Sequence, residues 1–309
     1  MKLVITLGDP LSINIYAVCT LLLELSLPKY LKICLIGSKK YFDLECKKHH
    51  FSLPSRNLNI EFIDVGDGTP GQISTQSILE SSKIPNPKVI ISCPINKNEA
   101  MDAGFSFPGH TEYYAHSTQS QTLMLMMGLQ PKKMFVGLCT NHLAINKISE
   151  NLSIEKIIQK TLLLNNAIKK IGKILHPPIA ICGLNPHCSD QGSFGHEEKE
   201  IIEPSIKILK ETYHINVFGP VSADTVFYLA YKGNYDGVLA MYHDQGLIPI
   251  KTLSFNHCVN ITYNLPFLRM SPDHGPGRDL YLKEQWNKVE LGSFRTCFEL
   301  AMDHFRNSL

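Results

Sequence analysis

Short apolar runs cut off by turn residues alternate along this chain with longer segments of helical period, the pattern of a largely parallel α/β sheet. Leu3–Thr6 reads as a strand ended by Gly8-Asp9-Pro10, and a helix is expected over about Ser12–Leu25. Further strands are expected at Leu31–Ile36, Ile60–Val65 and Lys88–Cys93, the last stopped by Pro94. Leu123–Met127 and Met134–Leu138 read as neighbouring strands with Gly128 and Pro131 in the turn. Helical period is clearest over Ser153–Ile171 and Glu197–Thr212, and a last helix is expected near Ser293–Phe305. For the second, Ser193 is the candidate N-cap, and Glu197 and Glu198 suit the positive end of a helix dipole.

Three apolar runs share one ending. Lys133–Cys139 leads into Thr140-Asn141-His142, Pro178–Leu184 into Asn185-Pro186-His187, and Gly237–Tyr242 into His243-Asp244-Gln245-Gly246. In a parallel sheet, chemistry collects at the carboxyl ends of strands, so three histidines are delivered to what reads as one rim. A histidine after a strand is commonly a hydrogen-bonded loop residue. Three such endings together point instead to a metal site, because three neutral imidazoles and an open position form a catalytic donor set.

Composition narrows the class. At 309 residues the length suggests about two domains. A charged fraction of 19%, a hydrophobic fraction of 44% and a net charge of +2 are ordinary for a globular protein. With no run of Lys or Arg, they give no sign of a nucleic-acid surface. Nine cysteines with no C-x-x-C pair argue against a disulfide framework and suggest a reducing cytoplasm. The apolar stretch Ile15–Leu23 is too short to span a bilayer and lacks signal-peptide features, so no membrane partner is expected.

Four further motifs offer chemistry. Gly66–Gly71 matches G-x-G-x-x-G, but the next strand ends in Cys93-Pro94 without the acidic residue a dinucleotide fingerprint needs, so it reads as a mobile turn. Pro108-Gly109-His110-Thr111-Glu112 reads as a turn opening a helix, either simply capped by Thr111 or built to bind an anion. Lys251 and Arg269 are isolated cations in apolar surroundings, and with Asn260 they suit a phosphate or carboxylate. Asp224 would cap a helix, whereas Asp244 and Asp273 adjoin His243 and His274 and could orient a metal-bound imidazole.

Taken in order, PINK (Pro94–Lys97), AGFSFPGHTEYYA (Ala103–Ala115), TNHLA (Thr140–Ala144), GLNPH (Gly183–His187), GPVSADTVF (Gly219–Phe227), MYHDQGLIPIK (Met241–Lys251), VNITYNLPFLR (Val259–Arg269) and SPDHG (Ser271–Gly275) cover most of the chain. In these blocks the chain resembles the 4-hydroxythreonine-4-phosphate dehydrogenase family of vitamin B6 biosynthesis. The resemblance implies His142, His187 and His243 as metal ligands in a site shared across a homodimer. It implies His110, Thr111, Lys251, Asn260 and Arg269 as substrate-binding residues. Asp244 and Lys251 are the candidates for proton handling, and no cofactor-binding residue is assigned. The implied cofactors are NAD, with NADP as the alternative, and a divalent metal, zinc first with magnesium or cobalt as alternatives. The implied fold is α/β, two-domain and mostly parallel, like isocitrate and isopropylmalate dehydrogenases, without a classical Rossmann unit. Residues 1–105 with about 255–309 would form one domain and 106–254 the other.

The implied reaction is oxidation of the C3 hydroxyl of 4-phosphohydroxy-L-threonine, then decarboxylation to 3-amino-2-oxopropyl phosphate. A sister dehydrogenase for a related phosphorylated four-carbon hydroxy acid, or a catalytically impaired metal-binding homologue, are the alternatives. Two departures from the family pattern bear on them. Two glycines are absent from the loop at Leu11–Asn14, and Pro276-Gly277-Arg278 follows Gly275 where the family has Thr-Ala.

Overall fold

Strands that are apolar at nearly every position are buried on both faces, as a sheet covered by helices on both sides requires. The computed structural model describes residues 1–28, 30–53, 59–129 and 132–307. Pro131, expected in a turn, lies outside them. The chain first forms β1 (Lys2–Thr6), α1 (Asn14–Glu24), β2 (Lys32–Gly37), α2 (Lys39–Lys48), β3 (Asn59–Asp64), α3 (Pro70–Ser82), β4 (Val89–Ser92), α4 (Lys97–Asp102) and α5 (His110–Ser117). It continues through β5 (Leu123–Gly128), β6 (Met134–Leu138), α6 (Ile154–Ala167), β7 (Ile179–Cys182), α7 (Glu203–Glu211), β8 (Val217–Val221), α8 (Ala223–Lys232), β9 (Gly237–Ala240), α9 (His243–Ser254) and β10 (Cys258–Tyr263). It ends with β11 (Leu268–Pro272), α10 (Arg278–Leu282) and α11 (Gly292–Arg306). No described helix is long and apolar enough to cross a membrane.

Two units result, Met1–Gln121 with Leu265–Leu309, and Thr122–Asn264. In the first, the strand order is β3-β2-β1-β4-β11 and every pairing is parallel. In the second, the order is β10-β5-β6-β9-β7-β8, with β10–β5 and β5–β6 antiparallel and the rest parallel. Edge strand β3, NIEFID, alternates in burial, whereas β4, β5, β6, β7 and β9 are buried throughout. The borders differ from those expected near residues 105 and 255. α5 stays with the first unit because Tyr114 is hydrogen-bonded to Ser81 (2.7 Å) and stacks edge-on with Phe267. β10 stays with the second unit because it pairs with β5 along its whole length.

Several local expectations are corrected. Ser193 caps no helix: the Glu197–Thr212 segment begins as a wide π turn over Glu198–Ile202 and becomes α only at Glu203. Pro204 explains this, since it has no N–H for the carbonyl one turn back and its ring forces the turn open. Gly66–Gly71 is a fastened turn. Asp64 accepts the N–H of Gly66 and Lys39, and Thr69 and Gln72 form a reciprocal capping box at α3 with Pro70 in its first turn. Those bonds already occupy the N–H groups of Gly66, Thr69 and Gln72, and β3 lies at the sheet edge, away from the reversal of strand order between β1 and β4.

The two departures from the family pattern answer one another within the first unit. Ser12 Oγ donates to Asp9 O (2.5 Å), and Asn14 Nδ2 donates to Leu7 O (3.0 Å) and Pro94 O (2.8 Å), so side chains shape the loop that glycines would otherwise shape. Arg278 then reaches across from the far end of the chain. Its Nη2 donates to the wholly buried Asp9 (3.0 Å) and to Glu99 (2.8 Å), and the pairing lowers the Glu99 pKa.

α9 is helical despite Gly246 and Pro249, and the glycine is the reason it can pack. A Cβ at Gly246 would lie 2.7 Å from Leu138 Cδ2, 3.0 Å from Val136 Cγ1 and 3.1 Å from Ala240 Cβ, so the helix lies directly on β6 and β9. Gly246→Ala gains helix propensity of about 0.5–1 kcal/mol but overpacks by about 1–3 kcal/mol. A net loss of about 1 kcal/mol in denaturant unfolding is expected. A stabilised variant would show that the contact relaxes freely.

Candidate active site

β6, β9 and β7 are adjacent and parallel, so their carboxyl ends share one edge of the second unit. The β6–β9 pairing runs past both strands: Cys139 N–H donates to Ala240 O (2.8 Å), and the Thr140 N–H and hydroxyl both donate to Met241 O (3.1 and 2.7 Å). The chain therefore leaves both strands in register, and His142 and His243 arrive side by side, ring centroids 5.6 Å apart. Gln245, buried in the first turn of α9, fastens this edge to β7. Its Oε1 accepts Met241 N–H (2.6 Å) and its Nε2 donates to Gly183 O (2.8 Å).

The pair lines a cavity of about 210 Å³ with Asn141, Tyr242 and Asp244. His243 Nδ1 and Asp244 Oδ1 are 2.6 Å apart. A carboxylate accepts there, so Nδ1–H is the donor, and the lone pair of the neutral ring is on Nε2. Asn141 Oδ1 is buried and finds no hydrogen-bond partner among the described residues. Two imidazoles, that of His243 with its tautomer chosen by Asp244, and a nearby carbonyl oxygen are donor types that a divalent metal accepts.

His187 does not join this pair. It begins a run of five non-glycine residues, His187–Gln191, whose φ angles are all positive, and it lies exposed. Among the described residues, no group of three or more His, Cys, Asp or Glu is placed to hold a metal ion. Asp224, expected to cap a helix, lies inside α8, which follows Ser222. Hydrogen bonds from the Ser222 and Thr225 hydroxyls, and less strongly the charge of His187, hold its carboxyl below the usual range.

The first unit gathers His110, Thr111 and Arg269. Arg269 is 2% exposed, its Nε donating to Ser92 Oγ (2.8 Å) and its Nη1 to Thr111 Oγ1 (3.5 Å). Its guanidinium lies 5.9 Å from the Tyr114 ring centroid. Burial lowers Arg269 to about 10 and raises Tyr114 to about 12. Thr111 is thus a partner of Arg269 inside α5 and not its cap; the cap position is Gly109. His110 as a residue is half-buried, yet its Nε2 is sealed from solvent with no hydrogen-bond partner among the described residues. Lys251 and Asn260 fall in the second unit, on α9 and β10, and Asn260 Oδ1 is likewise buried without such a partner. His274, in the first unit, donates Nδ1–H to Gly275 O (2.8 Å).

Burial, with added repulsion from Arg269 and Lys97, holds His110 well below its usual pKa. The folded chain then keeps the ring neutral where the unfolded chain protonates it. Stability contributed by the neutral ring is present above about 6.5 and is lost as pH falls toward the folded value, by up to about 1.4 kcal/mol per pH unit. Denaturation at pH about 7.5 and 5.5 is expected to show a smaller acid loss in His110→Gln than in the parent. Equal losses would place the titration elsewhere.

The geometry can be set beside known proteins. The family model for the pyridoxal phosphate biosynthetic protein PdxA matches residues 68–301. A 4-hydroxythreonine-4-phosphate dehydrogenase of Sulfurihydrogenibium sp. is 36% identical, over 98% of each chain. A D-threonate 4-phosphate dehydrogenase of Pectobacterium atrosepticum is 41% identical, over 69% of this chain and 63% of its own. The crystal structure of 4-hydroxythreonine-4-phosphate dehydrogenase from Klebsiella pneumoniae superposes with a TM-score of 0.78 at 28% identity, over 98% of this chain and 99% of that one. Isocitrate dehydrogenase from Methylococcus capsulatus, with a TM-score of 0.53 and 9% identity over 98% and 85%, shares the fold alone. Fold, motif order and full-length similarity agree: this chain belongs to the pyridoxal phosphate biosynthetic protein PdxA family.

Proposed function

We propose that this chain oxidises the C3 hydroxyl of 4-phosphohydroxy-L-threonine and releases its carboxylate as CO2, giving 3-amino-2-oxopropyl phosphate for pyridoxal 5'-phosphate synthesis. The observation that carries this reading is the His142–His243 pair, with Asp244 fixing the His243 tautomer. When bound, NAD (NADP as the alternative) supplies the hydride acceptor, and a divalent metal, zinc first, supplies positive charge that lowers the pKa of the substrate hydroxyl. His142, His187 and His243 would hold that metal. Among the described residues no group of three such side chains is placed to hold a metal within one chain, which supports a set completed by a second copy. Leu143 and Ile145 beside the histidine cavity, 42% and 76% exposed, suit burial in such a homodimer.

Arg269 and Thr111 fit an anionic group of the substrate. A buried guanidinium, already oriented by Ser92 and Tyr114, binds phosphate or carboxylate with little further ordering. Neutral His110 adds a hydrogen bond without adding charge. Lys251 and Asn260 would complete substrate binding, and Asp244 and Lys251 are the candidates for moving the proton. The D-threonate 4-phosphate dehydrogenase relative favours a second reading, in which a phosphorylated four-carbon hydroxy acid without the amine is the substrate.

Side-by-side NADH formation from 4-phosphohydroxy-L-threonine and D-threonate 4-phosphate, with chelator and then zinc, tests both readings. Turnover of the first substrate that chelator stops and zinc restores is expected. Turnover of the second alone would move the assignment to the sister substrate, and none with either in a metal-loaded protein would favour a catalytically impaired homologue. His187→Ala is expected to lower kcat more than about 100-fold with the fold intact. Lys251→Ala and Arg269→Ala are expected to raise the substrate KM about 10- to 100-fold, as loss of a charge-assisted hydrogen bond does. Near-normal turnover in the first variant, or unchanged KM in both others, would contradict these roles.

A further inference from the structure

The segment between β7 and α7 contains a carboxylate that the reaction does not use. Glu198 is 2% exposed, and its Oε1 accepts the successive backbone N–H groups of Leu184 (2.8 Å) and Asn185 (2.7 Å). Its Oε2 accepts Asn185 Nδ2 (2.8 Å), which also donates to Glu197 Oε2 (2.8 Å). Two adjacent N–H groups aimed at one oxygen form an anion nest, here filled from within the chain. The nest is built to admit it. A Cβ at Gly183 would come within 3.2 Å of Glu198 Oε1, and one at Gly195 within 2.6 Å of Asn185 Nδ2. Sequence alone suggested only that Glu197 and Glu198 favour a helix start.

Immediately beyond Asn185 the chain enters the left-handed turn of His187–Gln191. Each non-glycine residue in that region costs about 1–2 kcal/mol, so such a turn persists only if its ends are fixed. Glu198 fixes the end nearer His187. Phe194 N–H, donating to Ser189 O (3.1 Å), and Ser189 Oγ, donating to Gly195 O, fix the other.

We infer that Glu198 is a positioning residue for His187, holding the strained turn in place before metal arrives. This rests on the reading of His187 as a metal ligand. Buried charge-assisted hydrogen bonds set where the turn begins, and thereby where the imidazole stands.

The test measures zinc affinity by competition with a chromophoric chelator, for the full-length protein and its Glu198→Gln, Glu198→Ala and His187→Ala variants. Amide hydrogen exchange is measured on the same metal-free proteins. Glu198→Ala is expected to weaken zinc binding about 10- to 100-fold, the usual effect of losing a group that orients a ligand. Glu198→Gln, which keeps an acceptor for the two N–H groups, is expected to fall between it and the parent and retains the test if the alanine variant does not fold. Faster exchange confined to residues 184–192 is expected in both. Zinc binding lost in His187→Ala but kept within about twofold in a folded Glu198 variant would overturn this inference alone. Binding unchanged in His187→Ala would overturn the ligand role and this inference together.

Discussion

The candidate active edge depends on the continuation of the β6–β9 ladder beyond its strands. Once Thr140 bonds twice to Met241 O, the next two residues of each chain segment have little freedom in where they go. The side-by-side placement of His142 and His243 follows from sheet register, which is the stiffest positional device in an α/β fold. Helix α9 reinforces it from below, because Gly246 lets the helix approach β6 and β9 closely while Gln245 ties the edge to β7. Past β7 the ladder with β8 continues only to Gly183, whose N–H donates to Val221 O (2.9 Å), four residues short of His187. That residue extends from β7 on a turn, and its position depends on side-chain carboxylates.

The two units handle charge differently. The second presents imidazoles, exposed or half-buried, with a carboxylate to choose a tautomer. The first buries a guanidinium among hydroxyls and an aromatic ring, where the cost of desolvation is met by oriented hydrogen bonds and by the face of Tyr114. His110 beside it is held neutral first by burial, which disfavours the charged ring, and then by repulsion from Arg269. Elsewhere in the first unit, Arg278 joins a buried Asp9 to Glu99.

Much of this was legible in the chain. Buried strands such as VIIS and LMLMMG announce themselves by being apolar throughout, and punctuation of such runs by Pro, Gly and Asn marks the ends that carry chemistry. Other features depend on partners remote in sequence. Helix α9 hides behind Gly246 and Pro249, whose meaning appears only when β6 is seen beneath it. Glu198 reads as one more acid at a helix start, since nothing local reveals that Gly183 has opened a space for it. The unit borders were displaced because Tyr114–Ser81 and β10–β5 contacts outweigh sequence proximity.

Whether the three strand-end histidines form one metal site is read most directly from the ion itself. Crystals of the zinc-loaded protein, measured at the zinc absorption edge, locate the ion directly by its anomalous scattering. One zinc is expected at each site, bound by nitrogens of His142, His187 and His243 that are not all from one copy. Zinc elsewhere, or zinc held without His142 and His243, would contradict it.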